Sequence, residues 1–338
     1  MRSIRKREHI EYYLKTTFQG DTFLGDVFLE HNALPNLNFD EIDTSIVFGN
    51  KQIDFPLFIN AMTGGSSLTR EINKDLSTLA RDFNIPMAVG SQTIALEGDE
   101  DAIDSFRIVR EIIGDQGVVI GNLSGQASVE EAKRAMDMIN ADAIQIHLNP
   151  AQELVMEEGD REFKGIIDNI EAIVNNIDKP VIVKEIGFGI SKDVAEKLYN
   201  VGVRYIDISG YGGTNFIEIE NLRNQSFDFT ELYSWGIPTA ASLINCRKLP
   251  NDLKLISSGG IRNSMDIVKS IALGAEVAGI SGELLSYVVH GGYLNAKDYL
   301  DKIIYKMKIL MLLLGKKNIE ELKTSTDYRI TGRLKDLV

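Results

Sequence analysis

His147, Asn149, Gln152 and Glu153 lie within one run, His147-Leu148-Asn149-Pro150-Ala151-Gln152-Glu153. They gather an imidazole capable of acid–base work, two amides and one hard oxygen ligand. One carboxylate together with substrate phosphates suits Mg2+, which keeps much of its water, whereas zinc asks for more nitrogen or sulfur than this stretch offers. The structural alternative makes Gln152 and Glu153 the start of a helix and His147 a satisfied core residue; the clustering favours chemistry. Lys184 is a second oddity, set in the apolar run Pro180-Val181-Ile182-Val183-Lys184-Glu185-Ile186. An unpaired ammonium there is costly, so it needs an ion pair with Glu185 or Asp207, or a ligand ring that accumulates negative charge. Strand alternation sends Lys184 and Glu185 to opposite sides, which favours the ligand. Glycine-rich turns, Ser258-Gly259-Gly260-Ile261-Arg262 and Ser281-Gly282, let backbone amides approach an anion. Gly260, Arg262, Ser281 and Gly282 are therefore phosphate candidates, the alternative being tight turns with Arg262 paired at the surface.

The elements that must position these groups alternate from Pro56 to about Leu285: a short apolar run, a polar or glycine-rich turn, then a helix-length amphipathic stretch. The predicted strands are Leu57 to Ala61, Met87 to Val89, Val118 to Asn122, Ala143 to Leu148, Val181 to Ile186, Tyr205 to Ser209, Leu255 to Ser258 and Val277 to Ile280. Eight continuous apolar strands in series predict an α/β fold, a (β/α)8 TIM barrel, with a doubly wound open sheet as the alternative. In such a barrel, chemistry sits at the C-terminal ends of the strands, where all the groups above fall.

Helices are expected over Thr69 to Phe83, Asp101 to Ile113, Ser128 to Ile139, Phe163 to Asn176, Ser191 to Val201 and Ser264 to Leu273, with Ser128 and Glu131 at capping-box spacing. An extra helix, Thr239 to Arg247, falls in the expansion Tyr211 to Lys254. The segments Thr44 to Phe48 and Gln52 to Phe55 read as a hairpin closing the barrel floor, and Ala296 to Leu314 as an outer C-terminal helix. The chain reads as one domain: an N-terminal extension and hairpin (1–55), barrel core (56–285) and C-terminal helical segment (286–338).

Hydrophobic residues are 44% and charged residues 25%, as in an ordinary globular protein. The net charge of −13 argues against nucleic acid as a partner. Cys246 is the single cysteine, so there is no internal disulfide and no multi-cysteine metal site. The charged N-terminus lacks the apolar stretch of a secretory signal, and Ile309 to Leu314 is far short of the roughly 20 residues that span a bilayer, so a cytoplasmic location away from membranes is expected. Arg5, Lys6, Arg7 and His9 form a basic segment; most such runs are solvated ends, but one folded across a barrel mouth would clamp a diphosphate.

Taken together, Arg5-Lys6-x-x-His9, Asn60-Ala61-Met62-Thr63-Gly64-Gly65, His147-x-Asn149-x-x-Gln152-Glu153, Lys184-Glu185-x-Gly187-x-Gly189 and Ser258-Gly259-Gly260-Ile261-Arg262 resemble the FMN-dependent type 2 isopentenyl-diphosphate isomerases over nearly the whole chain. The resemblance implies that Ala61, Met62, Thr63, Ser91, Asn122, Lys184, Ser209, Thr214, Gly260, Ile261, Arg262, Ser281 and Gly282 contact FMN. It implies that Arg5, Lys6, His147, Asn149 and Gln152 hold the substrate, that Glu153 binds Mg2+, and that Gln152, Lys184 and His147 serve catalysis. One departure is Thr93, where many members carry arginine.

The implied reaction interconverts isopentenyl and dimethylallyl diphosphate without net redox change. It needs reduced FMN, with NADPH only as the reductant, and an oriented, dry pocket that stabilises cationic character. Reduced FMN is expected to exchange a proton at the allylic system, Gln152 to assist at the other end, and Lys184 to stabilise negative charge on the ring. A homo-oligomer, tetramer or larger, is implied. The main rival is an FMN-dependent 2-hydroxyacid oxidase, which needs a loop reading roughly His-Gly-Gly-Arg; here Gly212-Gly213 lies between Tyr211 and Thr214. A flavin- or phosphate-binding module without turnover is the non-enzyme alternative.

Overall fold

The computed structural model describes residues 2–224 and 226–338, and in it each of the eight apolar runs forms a strand. These are β1 (Leu57–Ile59), β2 (Met87–Ala88), β3 (Val119–Ser124), β4 (Ala143–His147), β5 (Val181–Lys184), β6 (Tyr205–Asp207), β7 (Lys254–Ser257) and β8 (Val277–Ile280). All neighbours pair in parallel and in chain order, and β8 returns to β1 through Ala278↔Leu57, Gly279↔Phe58 and Ile280↔Ile59. That pairing closes the sheet and excludes the open doubly wound alternative.

The alternation of each strand divides its residues between two environments. Outward side chains such as Leu57, Ile59, Val119 and Ile146 join the helices in one large core. Inward ones below the midline, Phe58, Ala88, Val118, Ile120, Ala143, Ile182, Ile256 and Val277, form a second apolar cluster with Phe48 and Ile53. Those last two come from the hairpin Ile46–Phe48 and Lys51–Ile53, which seals the floor as its sequence predicts. Lys51 fastens it by donating to the carbonyls of Asp115 and Gly117 and pairing with Asp142. Phe48→Ala should therefore cost about 3–5 kcal/mol, measured by chemical denaturation, because the barrel wall cannot collapse into the void.

Most predicted helices begin within a few residues of their signals; at Ser128 both capping-box bonds form, Ser128 N to Glu131 Oε2 at 2.8 Å and Glu131 N to Ser128 Oγ at 3.2 Å. Two differences bear on the site. The C-terminal helix starts at the end of β8 rather than at Ala296, running Gly282–Leu313 with a break at Gly292. The basic N-terminal segment is a helix, Arg2–Tyr13, whose Ile10 is buried in the core. Both chain ends are tied by antiparallel pairing of Val27–Leu29 with Tyr328–Ile330.

Candidate active site

Register brings His147, Lys184 and Asp207 to one level, through His147↔Lys184 and Lys184↔Asp207. This is the polar storey above the apolar floor, and its side chains bond across the lumen. Asp207 accepts from Asn60 Nδ2 (2.6 Å), Ser258 Oγ (2.6 Å) and Ser209 N (3.2 Å). Gln145 Nε2 donates to Asn60 Oδ1 at 3.0 Å, and Asn122 Nδ2 donates to Gln145 Oε1 at 3.0 Å. His147 Nδ1 lies 2.9 Å from Asn122 Oδ1.

Burial pushes the Lys184 pKa below its ordinary value, opposed by the charges of Asp207 and Glu185. Its Nζ donates to the Glu185 carbonyl at 2.6 Å, while the Glu185 carboxylate accepts the amides of Ile186, Gly187 and Phe188. Asp207 is pushed up by burial and held back by Lys184 and its hydrogen-bond donors. Both ion-pair partners considered from sequence thus act on Lys184, which still faces the cavity.

His147 is pressed down to about 3 by burial and by the charges of Lys184 and Lys6, weakly opposed by the Leu123 carbonyl. An unfolded histidine takes its proton near pH 6.5, so below that pH the unfolded chain binds a proton that the folded chain refuses until about pH 3. Folding stability is therefore full above pH 6.5 and falls as the pH drops. The share from this residue reaches a few kcal/mol, at about 1.4 kcal/mol per pKa unit. Denaturation midpoints against pH should show a shallower acid decline in His147→Gln than in the parent.

A cavity of about 670 Å³ opens above this storey, a size suited to a bound small molecule. Ala61, Met62, Ser91, Asn122, Lys184, Ser209, Thr214, Gly260, Ile261, Arg262, Ser281 and Gly282 line it, as do Arg5, Lys6, His147, Asn149, Gln152 and Glu153. Of the predicted site residues, Thr63 alone does not: it is buried, its carbonyl accepts from Gly90 N, and its hydroxyl has no partner among the described residues. Thr93, left out of the site on sequence grounds, lines the cavity with its hydroxyl 3.1 Å from that of Ser91.

The loops after β7 and β8 meet at one end. Gly260 has φ +77°, and a Cβ there would lie 2.4 Å from the Gly212 carbonyl oxygen, so backbone packs where a side chain would be. Arg262 donates to the carbonyls of Gly212 (2.9 Å) and Gly260 (3.3 Å), fixing the guanidinium at the rim. The helix after β7 is capped by Asn263, which accepts from Met265 N and Asp266 N. The helix after β8 has no side-chain cap at Ser281, leaving its first amides available to an anion.

At the other end, the helix Pro150–Val155 carries Gln152 and Glu153. Asn149 Nδ2 donates to Glu153 Oε1 at 2.7 Å and Asp160 N to Glu153 Oε2 at 2.8 Å. Gln152 Nε2 donates to Glu220 Oε1 at 2.8 Å, and His9 Nε2 lies 2.9 Å from the same oxygen. Burial pushes the Glu220 carboxyl up, but His9, Gln152 and Arg223 outweigh it and hold it below the usual range. Glu218 Oε1 accepts from Thr17 N (2.8 Å) and Phe18 N (3.1 Å), fastening the segment that follows the N-terminal helix. Lys6 Nζ reaches the Ser91 carbonyl at 3.2 Å, so the basic segment spans the mouth of its own barrel.

Sequence reasoning left Asn60, Gln145, Asp207 and Ser258 out of the site; their inward strand positions were the available signal. Glu218 and Glu220, on the helix Phe216–Arg223, had no local signal, since buried carboxylates on a short helix look like surface ones.

The chain is 44% identical over 336 residues to an isopentenyl-diphosphate delta-isomerase from Bacillus pumilus, covering 98% of this chain and 92% of that one. It is 46% identical over 324 residues to one from Bacillus licheniformis, covering 95% and 92%. The FMN-dependent dehydrogenase family matches residues 124–328. The chain belongs to the isopentenyl-diphosphate delta-isomerases, within that FMN-dependent family. Solved structures share the fold: a flavocytochrome b2 with pyruvate bound (TM-score 0.72, 16% identity, 98% of this chain and 84% of that one) and a mandelate oxidase (TM-score 0.67, 15% identity, 92% and 90%).

The cavity of this isomerase fits FMN. An uncapped helix N-terminus and the close-packed backbone at Gly260 suit its phosphate, and Lys184 suits a ring that gains negative charge. Where the oxidase pattern needs histidine, Tyr211 lies outside the cavity lining and packs against Phe18 at 6.2 Å. Cys246 is buried in the extra helix with its thiol pushed up to about 12 by burial, which excludes it as a nucleophile. Among the described residues no group of three or more His, Cys, Asp and Glu side chains forms a metal cage. Glu153 lines the cavity with one hydrogen bond on each carboxylate oxygen, which leaves lone pairs that could serve a Mg2+ ion held mostly by substrate oxygens and water. No helix among the described residues is long and apolar enough to cross a membrane.

Proposed function

We propose that this chain interconverts isopentenyl diphosphate and dimethylallyl diphosphate with reduced FMN and Mg2+. The observation that carries the reading is one cavity with two unlike ends: an amide-rich cradle at Gly260, Arg262, Ser281 and Gly282, and a rim of Arg5, Lys6, His147, Asn149, Gln152 and Glu153. The cradle, with Ala61, Met62, Ser91, Asn122, Ser209, Thr214 and Ile261, would hold FMN; Thr63 would support that wall through its bond to Gly90. When bound, reduced FMN supplies an electron-rich face and an exchangeable proton beside the olefin. Lys184 sets an ammonium where negative charge must be balanced. Gln152, anchored through Nε2 by Glu220, assists at the other end of the allylic system. Arg5, Lys6 and Asn149 hold the diphosphate, with His147 beside them and Glu153 on Mg2+. The N-terminal helix keeps water from the olefin. NADPH reduces the flavin, and the chain works in the cytoplasm as a homo-oligomer, tetramer or larger.

The test is a spectrum and a turnover assay on the purified protein. Yellow protein that converts isopentenyl diphosphate only after reduction and only with Mg2+ is the expected result. Oxygen uptake with L-lactate instead would make it an oxidase, and bound flavin without turnover a binding module.

A further inference from the structure

The cross-barrel hydrogen bonds have a direction, and it is set at the end far from His147. Asn60 is oriented by two groups that cannot exchange roles: Ala61 N donates to its Oδ1 at 2.8 Å, and the Asp207 carboxylate accepts from its Nδ2 at 2.6 Å. Asn60 Oδ1 therefore receives the Gln145 amide N–H, which leaves Gln145 Oε1 to accept from Asn122 Nδ2 and turns Asn122 Oδ1 toward His147. An acceptor at that place requires a proton on His147 Nδ1. The ring lines the cavity, with Asn122 Oδ1 against Nδ1 and the Leu123 carbonyl also acting on the imidazole. A neutral imidazole of this tautomer offers Nε2 only as a lone pair, which a phosphoryl oxygen repels.

We propose that Asn60, Gln145 and Asn122 act as positioning residues that lock His147 with its proton on Nδ1, so that it meets the substrate diphosphate only by taking a second proton, from water, at Nε2. The uptake half rests on the function proposed above; the tautomer half does not. The charges acting on the ring are Lys184 on β5 and Lys6 on the N-terminal helix, with Asp207 on β6 opposing Lys184. Burial is the larger cause and, with the two lysines, keeps the ring neutral before substrate arrives. A diphosphate beside Lys6 reverses the sign of the local field, and binding is then coupled to protonation.

Nitrogen-15 histidine spectra of the flavin-loaded enzyme, with His147 assigned by loss of its signals in His147→Gln, test the lock. Expected is a single neutral Nδ1–H tautomer, with an Nε2–H population emerging in Gln145→Met. An Nε2–H ring in the parent, or an unchanged ring in a folded Gln145→Met, overturns it. Calorimetric titration of isopentenyl diphosphate at pH 8, with oxidised flavin and fixed Mg2+ in two buffers of different ionisation enthalpy, tests the coupling. The parent should take up measurably more proton than His147→Gln, the difference growing as the titration is repeated toward pH 6. Equal uptake with intact binding overturns the coupling and leaves the isomerase reading standing. Absence of binding overturns both, while the tautomer result is unaffected.

Discussion

Lys184→Ala should lower isomerase turnover by about two to three orders of magnitude, the usual cost of removing one preorganised electrostatic partner from a dry site. The ammonium is buried, its Nζ bonded to the Glu185 carbonyl and its charge set against Asp207. Its removal takes away the coulombic attraction that opposes the burial of the Asp207 carboxylate, which destabilises the fold as well. The two effects separate by experiment: Lys184→Ala with Asp207→Asn should recover part of the stability measured by denaturation and none of the turnover. Full activity in Lys184→Ala would reject the role assigned to the lysine.

Glu220→Ala should be nearly as damaging, through position rather than charge on the flavin. One buried carboxylate receives Gln152 and His9 on a single oxygen and Arg223 on the other. Without it Gln152 loses its anchor, His9 its partner, and the half-buried Arg223 keeps Glu8 and Glu158 among the described residues. The expectation is a turnover loss of about a hundredfold or more and faster proteolytic cleavage within the helix Arg2–Tyr13. Glu220→Gln, which keeps the volume and one acceptor, should protect the helix better than alanine does. Equal cleavage rates in the parent and Glu220→Ala would show that the carboxylate does not fasten the helix.

These two sites differ in how far they can be read before folding. Lys184 announces itself as a charge in an apolar strand. The neighbours that satisfy it lie in matching strands, so closing the barrel only adds register. Glu220 gives no such sign: its partner His9 is 211 residues away, and helix Phe216–Arg223 has no sharp apolar stripe to mark which face is buried. The helical form of Arg2–Tyr13 was hidden for the same reason, since a basic segment without a strong apolar face is held by distant carboxylates and by Ile10.

Local sequence determined the eight strands, most of the helix starts, the floor hairpin and the glycine turns, because apolar periodicity, caps and glycine conformations act between near neighbours. The same patterns put His147, Lys184 and Arg262 at strand ends. Only the closed barrel decided that Asn60 reaches Asp207 and Gln145 across the lumen, that Ser281 leaves its helix uncapped toward the cavity, and that Glu218 and Glu220 hold the N-terminal segment. Hydrogen-bond direction and carboxylate burial depend on which groups meet after long loops close, and no local pattern encodes those meetings.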